Sequence, residues 1–137
     1  MINWNDSMLI GIPQVDDQHK ALMEATNRLM DACNLGKGRM EIEKILNFVV
    51  AYTLKHFRDE ETIQAKLGFP GAISHKWIHT QLIHQVGALV QEFKQAGPSI
   101  AFVKELNHSF GDCIFNHIKS EDIKFGEYIS KANKVPA

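Results

Sequence analysis

Seven side chains that commonly bind metal ions fall at spacings suited to one shared site. Two pairs are separated by four residues, His56 with Glu60 and His75 with His79. In an α-helix such residues lie about 40° apart around the axis and about one turn apart along it, so each pair projects from one face. One pair is weak evidence, because chance alone gives roughly 0.3 histidine pairs at this spacing in such a chain. The full candidate set is His19, His56, Glu60, His75, His79, His117 and Asp122.

The elements that must position these residues are predicted to be four helices. Three groups of helix breakers separate segments that have helical periodicity and lack strand-like alternation. The breakers are Gly36-Lys37-Gly38, Gly68-Phe69-Pro70-Gly71 and Gly97-Pro98. Short connections of this kind join antiparallel neighbours. The predicted fold is therefore all-α, an antiparallel up-down-up-down four-helix bundle with an extended N-terminal arm.

The expected helix boundaries follow from capping signals. The first helix should begin at Asp16 or Asp17 as its N-cap and end before Gly36, and the residues before Asp16 should form the arm. The fourth should begin near Ser99, just after Pro98. The other expected limits are about Met40 to Leu67 for the second helix, roughly Ala72 to Ala96 for the third, and at least Ile118 for the end of the fourth.

The candidate ligands fall on the apolar faces of these helices. His19 shares a face with Leu22 and Met23, and Glu60 shares one with Val49. A buried carboxylate is costly unless it is paired or bound to a metal, so its place on an apolar face needs an explanation. His19, His75 and His79 lie near helix starts, whereas His56, Glu60 and His117 lie toward helix ends. Antiparallel packing therefore predicts that they meet at one end of the bundle.

Three further positions need separate treatment. His84 and His108 are predicted to point away from the site, at about 140° from His79 and about 180° from His117 around their helices. Asp122 follows His117 by five residues, which a regular helix would direct elsewhere. Asp122 can join the site only if the fourth helix unwinds or bulges after Ile118, and we expect Ser120 to cap a new helical turn there.

The composition of the ligand set points to a pair of iron ions. Imidazole suits iron, zinc or copper, whereas carboxylates suit harder cations and can bridge two of them. Two octahedral irons offer about twelve positions, of which five imidazoles, two bridging carboxylates and a bridging oxo or hydroxo group fill about eleven. The open position, among apolar side chains, favours reversible O2 binding over turnover. A structural zinc site needs fewer ligands. Ferritin-like enzymes use repeated Glu-x-x-His motifs, whereas the one Glu-x-x-His in this sequence, Glu105 to His108, contains none of the seven candidates.

Composition and charge exclude several kinds of partner. The 137 residues, 45% hydrophobic and 23% charged, fit one domain over residues 1–137. The formal charge is -1 and there is no basic stripe, so no nucleic-acid partner is expected. The sequence also lacks a secretory signal and an apolar run long enough to span a membrane, so no contact with a membrane is expected. A cytoplasmic monomer is the default expectation. Cys33 and Cys113 are expected to be free thiols.

The pattern of the seven residues resembles that of hemerythrins, and the surrounding sequence is similar to the bacterial branch of that family. The similar segments are Trp4, Gly11-Ile12-Pro13, Asp16-Asp17-Gln18-His19-Lys20, His56-Phe57-Arg58-Asp59-Glu60-Glu61 and Asn116-His117-Ile118. The resemblance implies a non-heme di-iron protein that binds O2, with the seven residues as ligands and Glu60 and Asp122 as the bridges. It also implies the four-helix bundle.

Several alternatives remain open at this point. The protein could be an oxygen carrier or store, an O2 or redox sensor that changes its affinity for a partner, or a di-iron oxidase or peroxidase. A helical bundle with unusual core histidines and no iron is the simplest alternative. Similar proteins often have Trp at the position of Cys113. A plain buried cysteine is the simpler interpretation there, although a thiol near the site could change the lifetime of an oxygenated form.

Overall fold

The structure is a computed structural model that describes residues 2–134. Three long helices, α1 (Pro13–Asn34), α2 (Arg39–Lys66) and α3 (Ala72–Ala96), precede a fourth helical stretch that covers residues 100–134. α1 packs against α2, α2 against α3 and α3 against the fourth stretch, which also contacts α1. This arrangement confirms the predicted all-α, four-helix bundle. None of the described helices is both long enough and apolar enough to cross a bilayer.

The fourth stretch is not a uniform α-helix. Its α-helical parts are α4 (Ile100–Leu106), α5 (Phe115–His117) and α6 (Ile123–Lys134). Between them lie two π-helical segments, π1 (Asn107–Ile114) and π2 (Ile118–Asp122). In a π-helix the backbone bonds run from residue i to i+5, so residues five apart come close together. The bulge required after Ile118 is therefore present as π2, whereas π1 has no counterpart among the sequence predictions.

The apolar stripes account for the packing of the long helices. On α1, Val15, Leu22 and Leu29 recur every seven residues and all are fully buried. On α3 the stripe includes the candidate ligands, since its buried residues are His75, His79, Leu82, Val86, Leu89 and Phe93. A second, smaller apolar cluster of Ile10, Val15 and Phe125 lies where the arm meets α6. The core therefore continues around the candidate site at that end of the bundle.

The connections between the long helices are short, and a glycine follows the end of α1 and of α2. Gly36 and Gly68 have φ values of 67° and 66°, the left-handed region in which only glycine is free of strain. Bonds from Lys37 N to Ala32 O and from Phe69 N to Gln64 O close the helix ends. These terminations bring the end of α2 and the start of α3 together, as the sequence predicted.

The N-terminal arm differs from expectation in its last residues. α1 begins at Pro13, because proline at the first helical position has its φ preset for a helix and lacks an N–H that would be unpaired there. The prediction of Asp16 or Asp17 as N-cap is therefore wrong. The Asp16 carboxylate instead accepts hydrogen bonds from the backbone N–H groups of Ile10 (2.8 Å) and Gly11 (3.2 Å), which fastens the arm to α1. The arm also contains a short 3₁₀ turn, Asp6–Met8.

Candidate metal centre

The structure brings all seven predicted side chains together in two groups that share both carboxylates. The first group, here called the three-imidazole group, contains His75, His79 and His117. The second, the two-imidazole group, contains His19 and His56. Within each group, together with Glu60 and Asp122, the potential ligand atoms lie within 4.8 Å of one another.

Each carboxylate directs one oxygen toward each group. Glu60 Oε1 lies 2.7 Å from His75 Nε2 and 3.3 Å from His79 Nε2, whereas Oε2 lies 3.8 Å from Nε2 of both His19 and His56. Asp122 Oδ1 lies 2.8 Å from His75 Nε2 and 3.0 Å from His117 Nε2, and Oδ2 lies 3.0 Å from His19 Nε2. Both carboxylates are thus placed where they could bridge two cations.

Asp122 reaches this site because of π2. A regular α-helix would rotate residue 122 away from residue 117, whereas the wider turn of a π-helix aligns residues five apart. The expectation that Ser120 caps a new helical turn is wrong. The Ser120 hydroxyl donates to the carbonyl of Asn116 at 2.8 Å, and the helix continues through π2 without a break.

The donor chemistry of the cluster fits bound cations. Glu60 and Asp122 are 0% exposed, and within residues 2–134 only imidazoles approach their four oxygens as possible donors. Several imidazole nitrogens also face each other, with His19 Nε2 2.9 Å from His56 Nε2 and His79 Nε2 3.2 Å from His117 Nε2. Buried anions and lone pairs in such proximity are stable when they coordinate a metal.

Two outer residues orient imidazoles in different ways. His56 Nδ1 lies 2.8 Å from Gln18 Oε1, and the Gln18 amide donates to Asp59 at 2.8 Å. His79 Nδ1 lies 2.9 Å from a carboxylate oxygen of Glu61. An acceptor at Nδ1 fixes the tautomer that leaves Nε2 free to bind a metal. Neither partner was predicted from the sequence, although Gln18 and Glu61 each adjoin a candidate ligand along the chain.

Apolar and aromatic side chains surround the cluster. The ring of Phe57 stacks on that of His79, with centroids 4.1 Å apart and planes inclined by 11°. Phe57, Leu22 and Ile118 are buried in the main apolar core. The site is therefore closed to bulk water on its apolar sides.

The two remaining histidines, His84 and His108, are exposed and lie outside both groups, as predicted.

The pKa shifts of one imidazole from each group, His56 and His75, have opposite directions. Burial lowers the pKa of His56 to about 4, and the nearby His19 acts in the same direction. Burial also disfavours the charged form of His75, but hydrogen bonds to Asp122 and Glu60 outweigh it and raise the pKa of His75 to about 9. Burial opposes ionisation of Asp122 too, yet hydrogen bonds from His117, His19 and His75 hold its pKa well below the ordinary value.

The fold and the site define a class of proteins, the helical bundles that hold a buried cluster of histidines and carboxylates at one end. Comparison with known proteins identifies the family within this class. The family model described as "Hemerythrin HHE cation binding domain" matches residues 10–129. The chain belongs to the hemerythrin family.

The curated relatives are similar over most of their length. A bacteriohemerythrin of Pseudomonas aeruginosa is 36% identical over 119 residues, which cover 87% of this chain and 75% of that protein. A bacteriohemerythrin of Stenotrophomonas maltophilia is 31% identical over 129 residues, 94% of this chain and 82% of the relative. A hemerythrin-like protein of Naegleria gruberi is 32% identical over 124 residues, 90% and 89% of the two chains.

Proposed function

We propose that this protein is a non-heme di-iron protein that binds O2 reversibly, as an oxygen carrier or store. The observation that carries the proposal is the unequal division of five imidazoles around two shared carboxylates. The three-imidazole group, both carboxylates and one bridging oxo or hydroxo group would complete an octahedral ion. The two-imidazole group offers one donor fewer, so the ion there would keep about one open position.

The residues present fit iron better than other common metals. A mixture of imidazole and carboxylate donors suits iron, and two adjoining octahedral sites use all seven residues, whereas structural zinc is usually tetrahedral. Ferrous iron would supply the electrons that O2 binding requires. Glu60 and Asp122 would hold both ions, and Gln18 and Glu61 would orient His56 and His79 through their Nδ1 atoms.

The surroundings of the site favour binding over turnover. Buried apolar residues around the cluster, such as Phe57 and Leu22, restrict the entry of water and of a second substrate. Exclusion of water also limits the proton transfer that would convert bound O2 into products. We therefore expect a binding protein and not an enzyme.

Anaerobic loading with ferrous iron tests the proposal. We expect about two irons per chain, a visible charge-transfer band when O2 is admitted, and loss of that band when O2 is removed. His84→Gln is a suitable control, because His84 is exposed and lies outside the cluster. This variant should load iron and respond to O2 as the unmodified chain does.

Other outcomes identify the alternatives. Steady O2 consumption with an added reductant would indicate a di-iron oxidase or peroxidase. One irreversible oxidation, accompanied by a change in shape or partner affinity, would indicate a redox sensor. Failure to retain iron would contradict the whole proposal.

A further inference from the structure

The segment π1 aligns a second pair of metal-type donors that belongs to neither group of the candidate metal centre. His108 and Cys113 are five residues apart, and the thiol Sγ lies 3.7 Å from His108 Nε2. In a regular α-helix these side chains would diverge, whereas the i to i+5 register of a π-helix brings them together. The same geometry in π2 aligns His117 with Asp122. Each π segment thus pairs two potential ligands.

The separation of the two atoms matches that of two ligands on one ion. Typical bonds from zinc are about 2.3 Å to sulfur and about 2.0 to 2.1 Å to nitrogen. With those bond lengths, atoms 3.7 Å apart subtend an angle of about 115° at the metal, close to the tetrahedral angle. An ion could therefore bind to both atoms with little movement of the backbone.

The groups around the pair provide support of the kind that metal sites use. On the other side of the His108 ring, Nδ1 lies 3.5 Å from an Asp112 oxygen. A carboxylate near the second ring nitrogen is a recurring feature of histidine-bound metal sites. The Gln85 side chain hydrogen-bonds to the thiol, and its buried Oε1 has no hydrogen-bond partner among residues 2–134. Rotation of this amide would turn Oε1 toward the pair as a third donor.

Access and charge also suit a cation. The side chains of His108 and Asp112 are 57% and 74% exposed, so an ion can reach the pair from solvent. Burial raises the pKa of the Cys113 thiol; the hydrogen bond from Gln85 opposes this effect, and the negative charges of Asp112 and Glu105 add to it. The thiol is therefore protonated at neutral pH, and its surroundings carry the negative charge that attracts a cation.

We propose that Cys113 and His108 form a second metal site, which takes a thiophilic divalent cation of the zinc type. Cys113 binds as thiolate and its proton passes to solvent. His108 binds through Nε2 with the Asp112 carboxylate near its Nδ1, and Gln85 Oε1 or water completes the coordination. This site is distinct from the seven-residue cluster and does not depend on the function proposed for it.

Titration of the iron-loaded protein with Co²⁺ tests the proposal, because a sulfur-to-cobalt charge-transfer band reports only a cysteine-bound ion. We expect the band in the unmodified protein, competition by Zn²⁺, and loss of the band in Cys113→Ser. His108→Gln should weaken Co²⁺ binding at least about tenfold, since one of two protein ligands is lost. The matched control is His84→Gln, which removes another exposed histidine and should leave the titration unchanged.

Thiol alkylation gives a second readout. Zn²⁺ should slow the alkylation of Cys113 about tenfold, because the metal-bound sulfur is shielded, while Cys33 in the same chain serves as the internal reference. His108→Gln should abolish this protection. The proposal would be overturned by the absence of a sulfur-to-cobalt band, by an equally strong band in His108→Gln, or by equal alkylation of Cys113 with and without zinc.

Discussion

The two groups of the candidate metal centre share their carboxylates but differ in almost every other respect. The three-imidazole group draws its side chains from α3 and α5, and Glu60 Oε1 lies within 3.3 Å of two of them. The two-imidazole group draws on α1 and α2, and the nearest Glu60 oxygen is 3.8 Å from both of its imidazoles. Glu60 is therefore drawn toward the three-imidazole group.

This difference bears on where a small ligand could bind. The group with more imidazoles and a closer Glu60 would saturate its ion, whereas the other group would leave room for an exogenous ligand. An asymmetric site of this kind would separate two tasks, since one ion would be held firmly and the other would remain reactive. Substitutions that remove a ligand from both groups, or from one of them, test that asymmetry.

Replacement of Asp122 by Ala should have the largest effect. Its two oxygens face different groups, so one substitution removes a ligand from both ions. Loss of an outer partner typically lowers metal affinity about 10–100-fold, and loss of a direct ligand should lower it more. We expect iron content to fall from about two per chain to well below one, measured by metal analysis after desalting.

Glu121→Ala is the matched control for this change. Glu121 precedes Asp122 in the chain, but its carboxylate accepts a hydrogen bond from Lys124 at the surface. This variant should retain its iron. Equal iron content in both variants would show that Asp122 is not a ligand.

Single histidine substitutions should separate the two groups. His19→Ala leaves the two-imidazole group with one imidazole, whereas His117→Ala leaves the three-imidazole group with two. We therefore expect His19→Ala to hold about one iron and to lose its response to O2. His117→Ala should retain more iron at equal chelator concentration. The opposite order of iron retention would reverse the proposed roles of the two groups.

Much of this arrangement was predictable from helical periodicity. Spacings of four residues place His56 with Glu60 and His75 with His79 on single faces, and the apolar stripes direct those faces inward. The sequence also predicted that Asp122 needs a bulge, because five residues in a regular helix diverge. What it did not predict was the form of the bulge, a π turn, since a side chain such as Ser120 gives a capping signal that the continuous helix does not use.

Partners across helices were less predictable. Gln18 lies next to His19 in the sequence yet contacts His56 on α2, and that pairing depends on how α1 rotates against α2. Asp16 likewise carried the signal of an N-cap, but it binds the backbone of the arm because Pro13 had already begun the helix. The π1 segment that aligns His108 with Cys113 had no recognised sequence signal.

The pH dependence of the metal-free protein should have opposite signs in the two groups. The pKa of His75 is raised to about 9, so its stabilising contribution is present below pH 6.5 and is lost as the pH rises through 9. The pKa of His56 is lowered to about 4, so the folded state loses stability as the pH falls from 6.5 toward 4. Each effect should amount to at most about 1.4 kcal/mol per pH unit within its window.

Urea unfolding of metal-free variants measures these contributions. The loss of unfolding free energy in His75→Asn, relative to the unmodified chain, should be larger at pH 6.5 than at pH 9. For His56→Asn, the unfolding free energy of the variant relative to that of the unmodified chain should rise as the pH falls from 6.5 to 4. Parallel pH profiles for both variants would contradict the electrostatic difference between the groups.

The smallest expected effects concern the outer partners, which differ in charge. Glu61 offers a carboxylate to His79 in the three-imidazole group, whereas Gln18 offers a neutral amide oxygen to His56 in the two-imidazole group. A carboxylate increases the basicity of an imidazole more than an amide does. Glu61→Gln keeps a partner at Nδ1 but should lower the iron affinity of the three-imidazole group. Loss of an outer partner typically costs about 10–100-fold in metal affinity, and we expect Glu61→Gln to fall near the lower limit.

Gln18→Glu, made together with Asp59→Asn, is the reciprocal change. The second substitution is needed because the Gln18 amide donates to Asp59, and a carboxylate at residue 18 would otherwise face the Asp59 carboxylate. A carboxylate in place of the amide should strengthen the bond of His56 to iron and make the more weakly held ion harder to remove by a chelator. The negative charge would also stabilise the oxidised form of that ion, so the oxygenated protein should lose its colour sooner by autoxidation. If Glu61→Gln and this reciprocal change altered chelator release to the same extent and in the same direction, the difference in partner charge would have no part in the asymmetry, and the number of imidazoles alone would account for it.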